Sequence, residues 1–571
     1  MKRSFTPIPQ TGMPGYQRHW LIMALCFGTQ SLVLWSTYAM LTSGGIAFLE
    51  GSIMFATFVG TLHPASNFGS AIIGIIEPLP GLRSRTALII FMRNEDPSLI
   101  FRRLLAMHQS LAQIGYLQHF RFVLLSDTSL AHVKCLEDEE FACIKDKLST
   151  GTYKPCFYRR REKNVGYKGG NMHDYAENYS KDDEFFVPLD SDSVMGGDML
   201  VRIVSSMEKY PQIGLIQPAF VCVPSVSAYA RLQQFSSRYW MPVNYLGLSW
   251  WAHDCGLFWG HNAIIRTKVF REHCKLPIIP GKPPFGGYIL GHDTIEAMLI
   301  RHAGYECRQL PVITSNSYEA YPPNLIEVLK RQTRWFQCAM QYLFFLKEPG
   351  LRPINRFQLA RIISQHLGPV AWLVIIMAFL IRSRQEKAIT ANFHIGAFQQ
   401  LLILVSNIFP RVAGVLAVVA TPSEIQRYGG VFRFTIAVVM EFLFTSLMRA
   451  SSALSITIFF CGLLFGKSIS WDAQNRDQLG LSWRYTFRLF WVEILLGVGM
   501  ICIIVTFDAL RELRVFAISL LLVVPVTLLS ASPQLGRIFT RLRLFTTPEE
   551  NPVPPLVHEI VAHEILSCKN T

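Results

Sequence analysis

The chain has 571 residues, 50% of them hydrophobic and only 16% charged, with a mean hydropathy of +0.28. This composition excludes intrinsic disorder, collagen and a small disulfide scaffold, and favours a mixed membrane and α/β protein. Lysine and arginine number 54 against 40 acids, a net +14, but no long polybasic run or nucleic-acid motif focuses the charge, so membrane-edge basic residues account for it and nucleic acid is not an expected partner.

Lys2, Arg3 and Arg18 precede an apolar stretch from about Trp20 to Leu41, long enough for a bilayer core of ~30 Å and read as a retained anchor because no small-residue cleavage site follows. A second stretch, about Gly51 to Ile76, is broken by His63, Pro64 and Asn67 and completes a membrane region over 1–79. Across 80–355 the apolar runs shorten and charges return. TALIIF (86–91), FVLL (122–125) and FFVPL (185–189) read as strands, and 98–114 and 198–209 as helices, which predicts an α/β domain with a largely parallel sheet. Longer apolar runs return at 362–381, 398–420, 435–449, 452–466, 488–506 and 513–531. They predict about six spans over 356–535, with 435–466 as one tilted or kinked element the alternative, and about eight spans in all. The tail, 536–571, then shares the cytoplasmic face with the α/β domain, although Arg382, Arg384 and Lys387 on the far side oppose that count. The 12 cysteines form no CxxC pair, which argues against structural zinc or a disulfide framework.

Acids follow each predicted strand: Asn94-Glu95-Asp96, Ser126-Asp127 and Asp190-Ser191-Asp192, where ligands bind in open α/β sheets. A D-x-D directly after FFVPL can hold a hard divalent cation against a diphosphate; its bland reading is a turn or cap before Met195. Lys168-Gly169-Gly170-Asn171 allows close backbone approach and supplies a phosphate charge, or is a flexible turn. Asp293 starts a helix running to Arg301, where an N-cap is the plain reading. Arg331-Gln332-Thr333-Arg334-Trp335 opens an amphipathic stretch whose Arg-Trp pair would also suit a membrane edge, and His261 and His292 have no metal-spaced partner.

In this order, Asp127, Asp190-Ser191-Asp192, Asp293 and Arg334-Trp335 between membrane spans resemble the processive family 2 glycosyltransferases, with their pattern D, D-x-D, T/E-D, Q-x-x-R-W. PLDSDSVMGGD (188–198), FWGHNAIIR (258–266), LPIIPGKPPFGGYILGHD (276–293), SYEAYPPNL (317–325) and WDAQNRD (471–477) resemble, within that family, the bacterial synthases of osmoregulated periplasmic glucans, a similarity running over about 80–545. Arg331 replaces the Gln and His292-Asp293 the T/E-D, both pointing to this subgroup and away from cellulose synthases. The long N-terminal extension of some members is missing.

The resemblance implies a GT-A fold, UDP-glucose as donor, Mg²⁺ or Mn²⁺, inversion at the anomeric carbon and a β-linked, β-1,2 glucan backbone. It implies an inner-membrane protein with its α/β domain in the cytoplasm. Asp293 would be the general base, and Asp192 with Asp190 would hold the metal. Arg334 would meet the charge developing on the leaving group, Asp96 and Asp127 the uridine, and Lys168 the nucleotide or diphosphate. Arg331 would bind substrate and Trp335 would face the terminal glucose of the growing glucan chain. The C-terminal spans would carry that chain across the lipid bilayer, and PGKPPFGG (280–287) would close over substrate or form a rigid turn. Acyl carrier protein and a periplasmic glucan-processing protein are partners suggested by the same resemblance. The rival readings are a transporter with a regulatory nucleotide-binding domain, and a synthase of cellulose or of a UDP-N-acetylglucosamine polymer.

Overall fold

A computed structural model describes residues 15–41, 82–311, 316–385, 393–469, 480–506 and 513–560. Strands covered on both faces need no polar alternation, and β1 (Thr86–Met92), β2 (Phe120–Ser126) and β4 (Phe185–Leu189) are buried along their whole length. With β3 (Phe157–Arg160), β6 (Ile213–Pro218), β8 (Ile264–Arg266) and β9 (Glu306–Leu310) they form a seven-stranded sheet in the order β3-β2-β1-β4-β8-β6-β9. The expected parallel pairing holds for β1 with β2 and β4, for β2 with β3 and for β6 with β9. β8 corrects it to a mixed sheet, since it runs antiparallel to both β4 and β6.

Successive side chains of β1 divide between the two faces, as a strand's period of two requires. Leu88 and Ile90 join a core with Phe101 and Leu104 of α2 (Pro97–Gln113) and Met199 and Ile203 of α5 (Gly197–Lys209). Ala87, Ile89 and Phe91 pack with α4 (Tyr167–Asn178), α7 (Thr267–His273) and α8 (His292–His302). α3 (Ala131–Ser149) follows β2, and a small sheet of β5 (Val194–Met195), β10 (Ser317–Glu319) and β7 (Val221–Cys222) lies beyond the end of β4. Two longer helices flank the site, α6 (Ala228–Ala252) and α9 (Leu325–Gln341).

α1 (Gly15–Leu41) forms where the first anchor was expected, and Met23 and Cys26 pack beside Trp251 at the end of α6. The second N-terminal stretch, 51–76, Lys2 and Arg3, and WDAQNRD (471–477) lie outside the described residues. After α9 come α10 (Pro353–Gln385), α11 (Phe393–Val419), α12 (Pro422–Arg427), α13 (Val431–Leu464), α14 (Trp483–Thr506), α15 (Arg514–Ser530) and α16 (Pro533–Leu542). Among the described residues three helical segments are long and apolar enough to cross a membrane, Pro353–Ala378, Val431–Leu464 and Trp483–Val505; α15 and α16 qualify only as a pair bent by 73°.

The runs 435–449 and 452–466, expected as two spans, are the single helix α13 of 34 residues. Arg449 and Ser451 do not break it, because neither removes a backbone donor as proline would. At 1.5 Å per residue α13 is roughly 51 Å long, and both of its ends rest on the α/β domain. Phe434 packs on Phe235 of α6, ring centroids 5.6 Å apart, and Phe460 on Phe336 of α9 at 5.5 Å. The chain also returns to that domain after α15: Glu549 accepts from Arg238 at 2.7 Å, Glu550 from Arg231 at 2.9 Å, and Leu556 and Val557 enter the α2 core.

Candidate active site

The carboxyl ends of β1, β2 and β4 open on one cavity of ≈ 820 Å³. Asp127, Lys168, Asp190, Asp192, Asp293, Arg331, Arg334 and Trp335 all line it, and Asp96 does not. Asp96 caps α2, accepting from Ser98 N at 2.9 Å ahead of Pro97, while Glu95 faces the cavity. Aspartate directly before proline is a helix-start signature, so this division was open to sequence reasoning.

Asp127 follows β2 and is clamped by Arg161, whose Nε and Nη2 donate to its two oxygens at 2.7 and 2.8 Å; Asn171 adds a third donor at 3.1 Å. Lys168-Gly169-Gly170-Asn171 is the first turn of α4 rather than a flexible turn. A Cβ on Gly170 would stand 2.1 Å from Val165 O and one on Gly169 2.8 Å from His292 Cβ, so close packing demands both glycines. The turn sends the Lys168 ammonium to Asp190 Oδ1 and, at 2.8 Å, to Gly260 O.

The D-x-D residues sit where β4 hands over to the small sheet. Ser193 Oγ accepts from Asp190 N at 3.1 Å, and Asp192, 4% exposed, accepts from Ala320 N at 3.2 Å. Asp293 is not the cap of α8, since Gly291 occupies that position. Its Oδ1 accepts only the adjacent Thr294 N, at 2.9 Å among the described residues, and it remains in the cavity wall. Gly260, at φ +87°, packs against it: a Cβ there would lie 3.4 Å from Asp293 Oδ2. Tyr342 donates to Gly291 O at 2.9 Å and holds the entry to α8. Beneath Asp293, His292 Nδ1 meets Glu296 at 2.8 Å; burial opposes a charged imidazole, but the Glu296 carboxylate outweighs it and raises the His292 pKa.

One turn of α9 presents Arg331, Arg334 and Trp335 together. The Arg331 guanidinium lies between two rings, 4.9 Å from Tyr321 and 4.7 Å from Trp335, within cation–π range. Trp335 is 45% exposed in the wall. Burial lowers the Arg334 pKa, so an arriving anion would find a desolvated cation. Beyond them the wall continues along α10 as Arg361, Gln365 and His366, and along α6 as Trp240, Asn244 and Tyr245.

Sequence reasoning missed Arg161, chose Asp96 over its neighbour Glu95, and left His261 without its partner Glu319, 3.4 Å away and facing the D-x-D. His261 Nδ1 also lies 3.3 Å from Ser193 Oγ, and burial pushes the Glu319 carboxyl pKa up. Their only sequence signal was membership of FWGHNAIIR and SYEAYPPNL.

The donor set suits a hard divalent ion. Asp190 and Asp192 offer carboxylate oxygens, one already drawing the Lys168 ammonium as a cation would be drawn. Among the described residues the one compact group of three metal-type ligands is elsewhere, His19, Asp254 and Cys255, where Arg301 and Arg352 already neutralise Asp254. A two-carboxylate site completed by substrate phosphates and water is the usual mode for Mg²⁺.

Residues 88–274 match the profile of Glycosyl transferase family 2, and 185–421 that of Glycosyl transferase family group 2. Proteins named glucans biosynthesis glucosyltransferase H align over nearly the whole chain. That of Xanthomonas euvesicatoria pv. vesicatoria is 31% identical over 96% of this chain and 90% of its own. That of Xylella fastidiosa is 32% identical over 94% and 88%, and that of Caulobacter vibrioides 29% over 95% and 87%. A solved mannosyltransferase from Pyrobaculum calidifontis, in complex with GDP-Man and Mn²⁺, covers 70% of this chain and 97% of its own at 15% identity, with a TM-score of 0.39.

Proposed function

The chain belongs to the glucans biosynthesis glucosyltransferase H family of the family 2 glycosyltransferases, with a GT-A-like domain built on a mixed sheet, and from that premise we propose that it polymerises glucose from UDP-glucose into the β-1,2-linked backbone of a periplasmic glucan. The observation that carries this is the single cavity. It collects Asp127, Asp190, Asp192, Asp293, Arg334 and Trp335 from separate segments and runs on to a polar face of the membrane helix α10.

The reaction is a single displacement. The hydroxyl of the terminal glucose attacks the anomeric carbon as the bond from that carbon to the β-phosphate oxygen breaks, and UDP leaves. Asp293 Oδ2 takes the hydroxyl proton; it lies in the wall with only its other oxygen on Thr294 N. Asp190 and Asp192 would hold Mg²⁺ or Mn²⁺, which when bound supplies positive charge to the diphosphate. Lys168 and Arg334 add fixed cations on the same wall. Asp127, rigid in its Arg161 clamp, contacts the nucleotide together with Glu95, the acid that faces the cavity where Asp96 does not. Trp335 offers its ring to the terminal glucose, held by the stacked Arg331.

The lengthened cavity gives the membrane half its use, because a polymer rich in hydroxyls crosses a bilayer only along polar walls. On this reading α14 with α15 forms an out-and-back pair, α10 crosses beside α13 and α11 crosses beside α1 and α6, while α13 rests at both ends on the α/β domain. The second N-terminal stretch would bring α1 back to the same face. On the proposed reading the α/β domain and the tail share the cytoplasmic side of the inner membrane.

The test is to supply UDP-glucose to the purified protein in sealed vesicles, on the side exposing the α/β domain, and to analyse linkage and location of the product. A β-1,2 glucan inside the vesicles is expected. A β-1,4 glucan, or product from UDP-N-acetylglucosamine alone, would assign another polysaccharide, and no donor consumption would leave a transporter.

A further inference from the structure

Behind α4 lies a second cavity of ≈ 650 Å³, a size suited to a small molecule. Two lysines on its wall, Lys163 and Lys275, make no ion pair among the described residues, and Val165, Ile278 and Tyr288 give it an apolar and aromatic side. Of its three carboxylates, Asp174 and Glu177 already face Arg159 and His173, while Glu162, next to Lys163 in sequence, makes no ion pair among the described residues and offsets part of that positive charge. His173 Nε2 is buried without a hydrogen-bond partner among the described residues. Unpaired ammoniums beside an aromatic face recognise a phosphate attached to a planar ring.

The wall between the two cavities is strained. Gly166 and Tyr167 are successive residues in the left-handed region, at φ 68° and 56°. Tyr167 lines the main cavity and meets Tyr288 of the second edge-to-face, centroids 6.5 Å apart. Arg161 also reaches both sides. It lines the second cavity, holds Asp127 in the first, and donates to Tyr167 O at 3.0 Å and Val165 O at 3.0 Å. An anion beside Lys163 would compete with Asp127 for this guanidinium and release the Asp127 carboxylate.

We propose that this second cavity is a regulatory nucleotide site whose occupancy weakens donor binding through Arg161 and Asp127. The coupling rests on Asp127 as a donor contact, whereas binding at the second cavity does not. Full-length protein in nanodiscs of zwitterionic lipid is titrated with N-methylanthraniloyl-ADP in excess EDTA, which withdraws the metal from the main cavity. Saturable binding is expected, displaced by ADP and by inorganic phosphate. Lys163→Gln with Lys275→Gln should weaken it by about 10-fold, and the double charge reversal to Glu should abolish it. Both variants should keep wild-type turnover without added ADP, while ADP should raise the apparent KM for donor in the wild type alone. Absence of saturable binding, equal affinity in the double variants, or displacement of the probe by phosphatidylglycerol in the disc, which would make the cations a lipid headgroup site, overturns the proposal. Binding intact with an unchanged KM overturns the coupling. Failure of turnover with UDP-glucose leaves the binding result standing and counts only against the donor assignment.

Discussion

Replacing Asp293 by asparagine separates chemistry from folding with unusual cleanness. The carboxamide oxygen can still accept from Thr294 N, the 2.9 Å bond that Asp293 Oδ1 now makes, and the cap of α8 is Gly291. Stability should therefore change by less than about 0.5 kcal/mol. The asparagine cannot take a proton from the acceptor hydroxyl, so turnover should fall by ~10² to ~10⁴, which is about 2.7 to 5.4 kcal/mol of barrier. UDP affinity in the presence of Mg²⁺ should hardly move. Asp127→Ala should behave in the opposite way. It strips Arg161 of two hydrogen bonds and Asn171 of one, so about 3 kcal/mol of stability and the UDP affinity should fall together. The assay is UDP release against UDP-glucose concentration, run beside UDP titration and thermal unfolding of each variant. Near-normal turnover in Asp293→Asn, or a loss of UDP affinity matching that of Asp127→Ala, would refute the base assignment.

Asp192→Ala should abolish transfer and the metal dependence of UDP binding at a stability cost of about 1 kcal/mol or more, since the hydrogen bonds it loses include the one from Ala320 N; wild-type turnover persisting in excess EDTA would count against the diphosphate clamp. Burial pushes the thiols of Cys222 and Cys255 up to about 12, whereas Cys135 and Cys143 are exposed, so alkylation at pH 8 followed by peptide mass spectrometry should mark the latter two alone of these four until the protein unfolds. Burial would raise the Asp254 pKa, but His253, Arg301 and Arg352 outweigh it and hold the carboxyl well below the usual range. A depressed folded pKa means stability present at neutral pH and lost on acidification, so Asp254→Asn should cost ~3 kcal/mol at pH 7, and its difference from wild type in unfolding experiments should close only below about pH 4.

Much of this protein is legible along the chain, because apolar runs, strand ends and helix caps are local properties. TALIIF, FVLL and FFVPL each lie within a strand, and the acids after them stand at the cavity, since a strand's end in an open sheet is also where its ligands bind. Even the one misplaced acid, Asp96, carried its own sign in the proline that follows it. The reversed strand β8 could not be seen that way: Ile264–Arg266 is three residues long, and its direction depends on β4 and β6, more than 40 residues upstream in sequence.

Only the tertiary structure could unite partners far apart in sequence. Arg161 finds Asp127 across 34 positions and His261 finds Glu319 across 58, and no local period encodes either meeting. The same holds for α13. Its sequence permitted one helix or two, because arginine and serine neither forbid a helix nor require one. What decided was the α/β domain, which offers Phe235 to one end and Phe336 to the other, and burying apolar surface at both ends favours one continuous helix between them.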